Sequence, residues 1–492
     1  MVSAYSVQIS NRNPLVSDSP KPGDLFLKHA HDGSIKTRKQ PAMKKLSRLT
    51  KIIYGFGDIG FSMTSTIIAA YFPIFLTDVI GIAPAIAAIG LFIGKSWDYI
   101  NDPLMGYISD RTRTRWGRRR PFLLFGALPY GLIFAFLWWK PPLESQTALL
   151  VFFTFMYVLY DAVVTFVSMP YFALTPELTE DYDERTELTG YRMFFSILGG
   201  LISFVVPMMI IGQMSPSNAG NVFRMGLIFG AASALPLFFV FFGTKEKPYF
   251  TKLERPKLFA SFKSALKNRP FVFSAVIYLF TWTSMHIIEA NLLFYIKYVV
   301  QRESLSEVIM AAIFITAIVS LPFWNWLSKK LNKRMAYIYG IAFWAVVQIL
   351  LITVNASSSL VYLLSLCILA GMGVGAAHVL PWAMIPDAIE LDELETGKRH
   401  EGIFYSLVTL MSKTANSIAV PLALAILDFS GYIPNAAVQP ASTLTGIRIV
   451  VGPIPAALLV GGIIFAIFYP LSRDEHHNVV KKLTLRRQIQ DK

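Results

Sequence analysis

Trp97-Asp98-Tyr99-Ile100-Asn101-Asp102-Pro103 sets two carboxylates and an amide inside an apolar stretch long enough to cross a membrane. Insertion scales put an Asp at a bilayer centre at roughly 2.5–3.5 kcal/mol, so such groups are rare and mark ion paths, relays or substrate sites. Asp98, Asn101 and Asp102 stand at i, i+3 and i+4, which a helix presents on one face. Lys95, one turn earlier, joins that face and is expected to balance Asp98 or Asp102. Oxygen ligands beside a counter-charge suit a small cation such as Na⁺, or a proton relay. An ion-pair network that only pins helices together is the plain alternative.

Other ionisable residues fall within apolar stretches. Asp58 either faces a cavity or caps a helix contact, and Asp161 is functional or pairs with Arg192. Arg192 and Lys413 come from opposite halves of the chain, and an Arg offers planar, bidentate recognition of carboxylate or phosphate. His286 and Glu289, at i and i+3, form a proton relay or a hydrogen-bonded packing pair. Asp58, Asp98, Asp102, Asp161 and Glu289 outnumber Lys95, Arg192 and Lys413, leaving a deficit of positive charge that cations or protons would supply. His378 follows Gly371, Gly373 and Gly375. That run fits close helix packing, since it lacks the Lys-Ser/Thr of a nucleotide loop. No nucleophile–base pair and no metal-ligand cluster stands out, so no enzyme activity and no bound cofactor is expected.

The elements that must position these residues are membrane helices. The 492 residues are 54% hydrophobic and 15% charged, where a soluble chain carries about a quarter charged residues. About twelve candidate spans run from 52–78 to 447–470, most of about 20 residues or more. The net charge of +14 does not point to nucleic acid, because the basic residues lie in alternate short loops: Arg111 to Arg120, Lys245 to Arg269, Lys329 to Arg334, and the tails. This positive-inside pattern puts both termini in the cytoplasm of a multi-pass cell-membrane protein, the inner membrane if the source is bacterial, with membrane lipid at the basic loops. Cys367 is the sole cysteine, which excludes an internal disulfide.

The predicted organisation is a disordered cytoplasmic tail at 1–50, a six-helix bundle at 51–243, a cytoplasmic linker at 244–270, a second six-helix bundle at 271–470 and a cytoplasmic tail at 471–492. The halves echo each other. Met169 through Glu177 resembles Leu380 through Asp387, and each half places a basic loop after its second span and an acidic loop after its fourth. Weak internal repetition of this kind marks transporters that rock two bundles around a midplane site. The predicted fold is all-α, in two pseudo-symmetric bundles.

Gly106-Tyr107-Ile108-Ser109-Asp110-Arg111 followed by Gly117-Arg118 resembles the cytoplasmic gate motif of the major facilitator superfamily. Tyr54 through Asp58, Trp97 through Pro103, Asp110 through Arg118, Pro381 through Asp387 and Tyr405 through Lys413 resemble the glycoside–pentoside–hexuronide:cation symporters, of which the melibiose carrier is the pattern. The resemblance implies a symporter driven by Na⁺ or H⁺ that carries a small organic substrate, most simply a sugar or glycoside; a monomer is expected. It implies a cation site at Asp98, Asn101, Asp102 and Thr165, and a cavity that includes Asp58, Ser62, Asp161, Ser168, Phe172, Arg192 and Lys413. The sugar half departs from the pattern: Phe61-Ser62 stands where Lys-Asp is usual, Ser168 where an Asp is usual and Phe172 where a Trp is usual. Unpaired sugar hydroxyls in a buried site are costly, which counts against a melibiose-like galactoside. Pro170 through Thr175, Asp183-Glu184-Arg185 and Tyr191-Arg192-Met193 resemble the animal sodium–lysophospholipid symporters, whose amphipathic substrates suit a more apolar cavity. A facilitator fold serving as a non-transporting receptor or scaffold is the further alternative.

Overall fold

The computed structural model describes residues 46–179, 182–246, 266–396, 401–471 and 473–490. Most of the tail 1–50 and of the linker 244–270 lies outside them. The described chain is helical: α1 (Arg48–Ile74), α2 (Pro84–Ser96), α3 (Asp98–Arg111), α4 (Arg120–Leu137), α5 (Gln146–Leu178), α6 (Tyr182–Ile211) and α7 (Ala219–Gly243) form the first half. The second half contains α8 (Arg269–Phe294), α9 (Ser306–Lys330), α10 (Lys333–Leu351), α11 (Leu360–Thr396), α12 (Glu401–Phe429), α13 (Ala441–Val451) and α14 (Pro453–Ile467). A last helix, α15 (Arg473–Gln490), occupies the segment expected to be a tail.

Among the described residues, eleven helical segments are long and apolar enough to cross a membrane. The second expected span is the exception, because its charges lower its hydropathy and the chain breaks at Trp97 between α2 and α3. The Trp97 amide bonds to Gly94 O in a tightened turn, while Ile100 and Asn101 bond back to Trp97 O. The register therefore shifts between Lys95 and Asp98. The last span is divided too, at Gly452 between α13 and α14.

Lipid tails are as apolar as Leu, so little hydrophobic force drives one membrane helix onto another and small residues must let backbones approach. A Cβ on Gly131 of α4 would come within 2.6 Å of Gly230 O of α7, and one on Gly375 of α11 within 2.8 Å of Ala317 O of α9. The Gly371 to Gly375 run is thus a helix-packing surface, as its composition predicts. Around these contacts Phe72, Phe75, Phe134 and Trp138 pack one core, and Trp344, Tyr337 and Leu380 another.

The first helix of each half ends alike. α1 passes into a π-helical turn, Phe75–Ile80, closed by Gly81 at φ +86°. α8 passes into Tyr295–Val300, closed by Gln301 at φ +55°. Such turns recur at functional sites. Here they face each other, at the end of the bundle away from the basic loops.

Candidate functional site: the cavity between the halves

The middle of the molecule holds two adjoining cavities. One, of about 400 Å³, is lined by Asp58, Asp98, Asp161, Thr165, Lys413 and other polar groups. The other, of about 320 Å³, is lined mostly by apolar side chains of the second half, with His286, Glu289 and His378 among them. Ser62, Ser65, Ala69, His286 and Asn416 line both.

Lys413 on α12 is the partner of the acids on α3. Its Nζ lies 2.9 Å from Asp98 Oδ1 and bonds Asp102 Oδ2 as well. Thr165 Oγ1 on α5 donates to Asp102 Oδ1 at 3.3 Å. Asn101 takes a neighbouring direction, its amide donating to Asp161 O at 3.3 Å. Lys95 keeps the expected electrostatic interaction with Asp98 and adds one with Asp161. Its ammonium lies 5.5 Å from the Tyr157 ring centroid, while Lys413 makes the close ion pairs with Asp98 and Asp102.

Arg192 pairs with Asp58, Nε to Oδ2 at 3.1 Å, so the expected alternative pairing of Asp161 with Arg192 gives way to a bridge between α6 and α1. The guanidinium also covers the Phe172 ring at 4.5 Å, and Phe172 packs on Phe61. Asp161 instead meets Asp98, and its Oδ2 is buried without a hydrogen-bond partner. Ser62 Oγ donates to Ser196 O at 2.5 Å, and Ser168 lines the polar cavity. His286 Nδ1 lies 3.3 Å from Glu289 Oε2, the pair the spacing predicts. The indole of Trp282 sits between His286 and His378, at 5.8 and 5.2 Å.

At the basic-loop end, Arg118 and Arg119 bond Glu177, and the Arg111 guanidinium stacks on Tyr107 at 3.8 Å. Gly106 has open space around it, and Gly117 takes φ +112°. The side chain of Asp110 lies outside the described residues. Among the described residues, the pairs of Arg118 and Arg119 with Glu177, of Lys51 with Glu184 and of Lys333 with Asp387 each lie within one half. On α15, outside the spans, a bond to Glu390 and the nearby Asp387 hold the His476 imidazole above its usual pKa against partial burial.

The opposite end is tied across the halves by residues that the sequence analysis does not single out. Lys297 Nζ lies 2.5 Å from Asp78 Oδ2 and 2.5 Å from Met214 O. Tyr298 and Tyr432 also donate to the Asp78 carboxylate. The Asp78 side chain is wholly buried. The available signal is the same one that marks Asp98: a lone charge in an apolar run, here Asp78 in Phe75–Ile80 and Lys297 in Tyr295–Val300.

This fold and a midplane cavity between two bundles define a multi-pass membrane transporter of the major facilitator type. Solved structures agree: a mutant form of the nucleoside transporter NupG superposes with a TM-score of 0.60 at 11% identity over 85% of this chain and 98% of that one. A bacterial homologue of ferroportin in its inward-facing state gives 0.60 at 13% identity over 87% and 99%. The chain belongs to the family described as MFS/sugar transport protein, which matches residues 53–473. It is 32% identical to the uncharacterized symporter sll1374 of Synechocystis over 90% of this chain and 98% of that protein. It is 30% identical to the sodium-dependent lysophosphatidylcholine symporter 1-A of Danio rerio, over 93% and 92%. The protein is a symporter of the major facilitator type.

Proposed function

We propose that the protein couples the entry of a cation, Na⁺ in the first instance, to transport of an amphipathic substrate of the lysophospholipid class by alternating access. The observation that carries this reading is the junction of a polar cavity and an apolar one, with shared lining residues. A sugar has no use for the apolar cavity, whereas a headgroup and an acyl chain use both. The Danio relative, by its name a sodium-dependent lysophosphatidylcholine symporter, supports the same substrate class.

The positive-inside pattern puts the basic loops and both termini in the cytoplasm, so the Asp78–Lys297 tie closes the outer side. The Lys413 ammonium then acts as a tethered cation on Asp98 and Asp102. A Na⁺ ion held by those carboxylates and Thr165 takes over their neutralisation. Lys413 is released toward the cavity, where a phosphate is a suitable partner. Arg192 stays with Asp58 as a polar wall until the headgroup competes for it. Cation and substrate thereby raise each other's affinity by the same factor.

The test is thermal stability of the purified protein against NaCl, with KCl at equal ionic strength, for wild type and Asp98→Asn. Lysophosphatidylcholine and a panel of glycosides are then titrated in each salt, followed by uptake into proteoliposomes. A Na⁺-specific rise in wild type that Asp98→Asn abolishes, and a further rise with lysolipid only in Na⁺, is expected. Na⁺-dependent stabilisation and uptake of a glycoside without lysolipid would return the substrate to the sugar class implied by the melibiose-type resemblance. No Na⁺ effect, with a pH-dependent one instead, would assign H⁺ as the coupling ion.

A further inference from the structure

The two pseudo-equivalent basic turns are finished differently. In the first half, Gly117 at φ +112° leads into α4, and Arg118 and Arg119 reach Glu177 at the end of α5. The Glu246 carboxylate then accepts from the amides of Arg118, Arg119 and Arg120 at 2.5, 2.8 and 2.8 Å. Successive N–H groups at a helix start form an anion cradle, and here the chain fills it with its own acid.

In the second half, Asn332 at φ +144° stands in the place of Gly117. Lys333 reaches Asp387, the counterpart of Glu177, at 2.5 Å, and the Asn332 side chain accepts from the Met335 amide at 2.7 Å. Among the described residues, no carboxylate meets the amides of Lys333 and Arg334. A cleft of about 620 Å³ opens at this place, lined by Lys329, Lys333, Arg334, Asp387 and His476 among others. Arg334 donates through Nη2 to Ile467 O at 2.5 Å, while its Nε is buried with no partner. Lys329, Lys333 and Arg334 stand against Asp387 and the neighbouring Glu390, so an excess of one positive charge remains before His476 is counted. The volume is that of a small-molecule site.

We propose that this cleft binds a phosphate-bearing anion, which takes the position that Glu246 holds in the first half. The phosphate belongs either to the headgroup of an anionic phospholipid or to free phosphate. A phosphate group offers several acceptors to the Arg334 fork, the Lys329 ammonium and the free amides together. The site is separate from the transport cavity and does not depend on the proposed substrate.

The experiment uses the full chain in a neutral maltoside detergent and reads the unfolding midpoint. The probes are inorganic phosphate against chloride at equal ionic strength, and dihexanoyl phosphatidylglycerol against dihexanoyl phosphatidylcholine. Wild type is compared with K329Q/R334Q, with N325E, which sets an acid at the exposed edge of the cleft, and with R113Q/R115Q in the exposed turn of the first half as a charge control. A rise of a few degrees in wild type and control, lost in the other two variants, is expected. A rise with phosphatidylglycerol alone assigns a lipid headgroup, and a rise with inorganic phosphate as well assigns free phosphate. Should K329Q/R334Q fail to fold, N325E alone decides. An equal rise in wild type and N325E, or no rise with either probe, overturns the proposal.

Discussion

The two halves share a scaffold but divide the chemistry. The first half supplies most of the intramembrane acids, Asp58, Asp78, Asp98, Asp102 and Asp161, with Lys95 and Arg192; the second supplies Glu289, Lys297, Lys413 and most of the lining of the apolar cavity. Acid from one half meets lysine from the other at two depths. At the end away from the basic loops, Asp78 is sealed among Lys297, Tyr298 and Tyr432. In the cavity, the Asp102 and Lys413 side chains keep 18% and 25% of their surface. The same kind of pair is therefore a dry lock in one place and an accessible, exchangeable contact in the other. Burial, more than residue type, sets which of the two a charge pair becomes.

The strongest test of that contrast is Lys297→Ala. Leaving Asp78 buried without its partner is expected to cost about 3–5 kcal/mol in unfolding experiments. The swap Asp78→Lys with Lys297→Asp should restore part of the loss if the lock is electrostatic. A single variant that costs less than about 1 kcal/mol, the size of an exposed pair, would erase the distinction between the two depths.

Lys413→Gln should cost less, about 1.5–3 kcal/mol, the range for hydrogen bonds to charged groups. Its more telling result is a larger Na⁺-specific stabilisation than in wild type, since the competing ammonium is gone, together with loss of uptake. If Na⁺ stabilises the variant less than wild type, Lys413 assists the cation and does not compete with it.

On the apolar side, Ala370→Phe narrows the second cavity. Within a cavity its packing cost should stay below the roughly 1–3 kcal/mol of an overpacked core. Each buried methylene contributes about 0.8 kcal/mol, so losing room for about two of them should weaken long-chain lysolipid binding about tenfold, with the Na⁺ effect unchanged. Titrations with C12 and C18 lysolipids would show it, and equal weakening of both chain lengths would detach the acyl chain from this cavity.

Much of the architecture is legible in the sequence, because membrane helices announce themselves by long apolar runs and the basic loops fall in alternate gaps. The clustering of Asp98, Asp102 and Thr165 is equally open: the two acids to helical spacing and Thr165 to family resemblance. Partners are harder to read. Lys95 lies near Asp98 in sequence and interacts with it electrostatically, yet the close ion pairs of Asp98 and Asp102 are made by Lys413, which arrives from a distant helix. Pairing Asp161 with Arg192 fails for a related reason: nothing in one sequence says which of two acids on different helices an Arg will meet, and it meets Asp58. The helix α15 escapes a sequence reading because it is a polar, basic segment whose docking face is little more than Val479 and Leu483.

That docking offers the smallest effect and a clear sign. His476 on α15 bonds Glu390 on α11 at 2.6 Å and lies 3.4 Å from Asp387, while Lys333 on α10 opposes its charging. The bond to Glu390 holds the folded imidazole above its ordinary pKa. A raised His value means that the stabilisation is fully present below the unfolded pKa of about 6.5 and is lost as pH rises through the folded value. The site is partly wet, so the contribution should stay within about 1 kcal/mol. Amide exchange in α15, corrected for intrinsic rates, should therefore be slower near pH 6 than near pH 8.5 in wild type. His476→Gln, which keeps a hydrogen-bond donor but cannot charge, should flatten the dependence. Protection that increases with pH, or a dependence that survives in His476→Gln, would show that α15 is held by its apolar contacts at Val479 and Leu483 and that the imidazole is incidental.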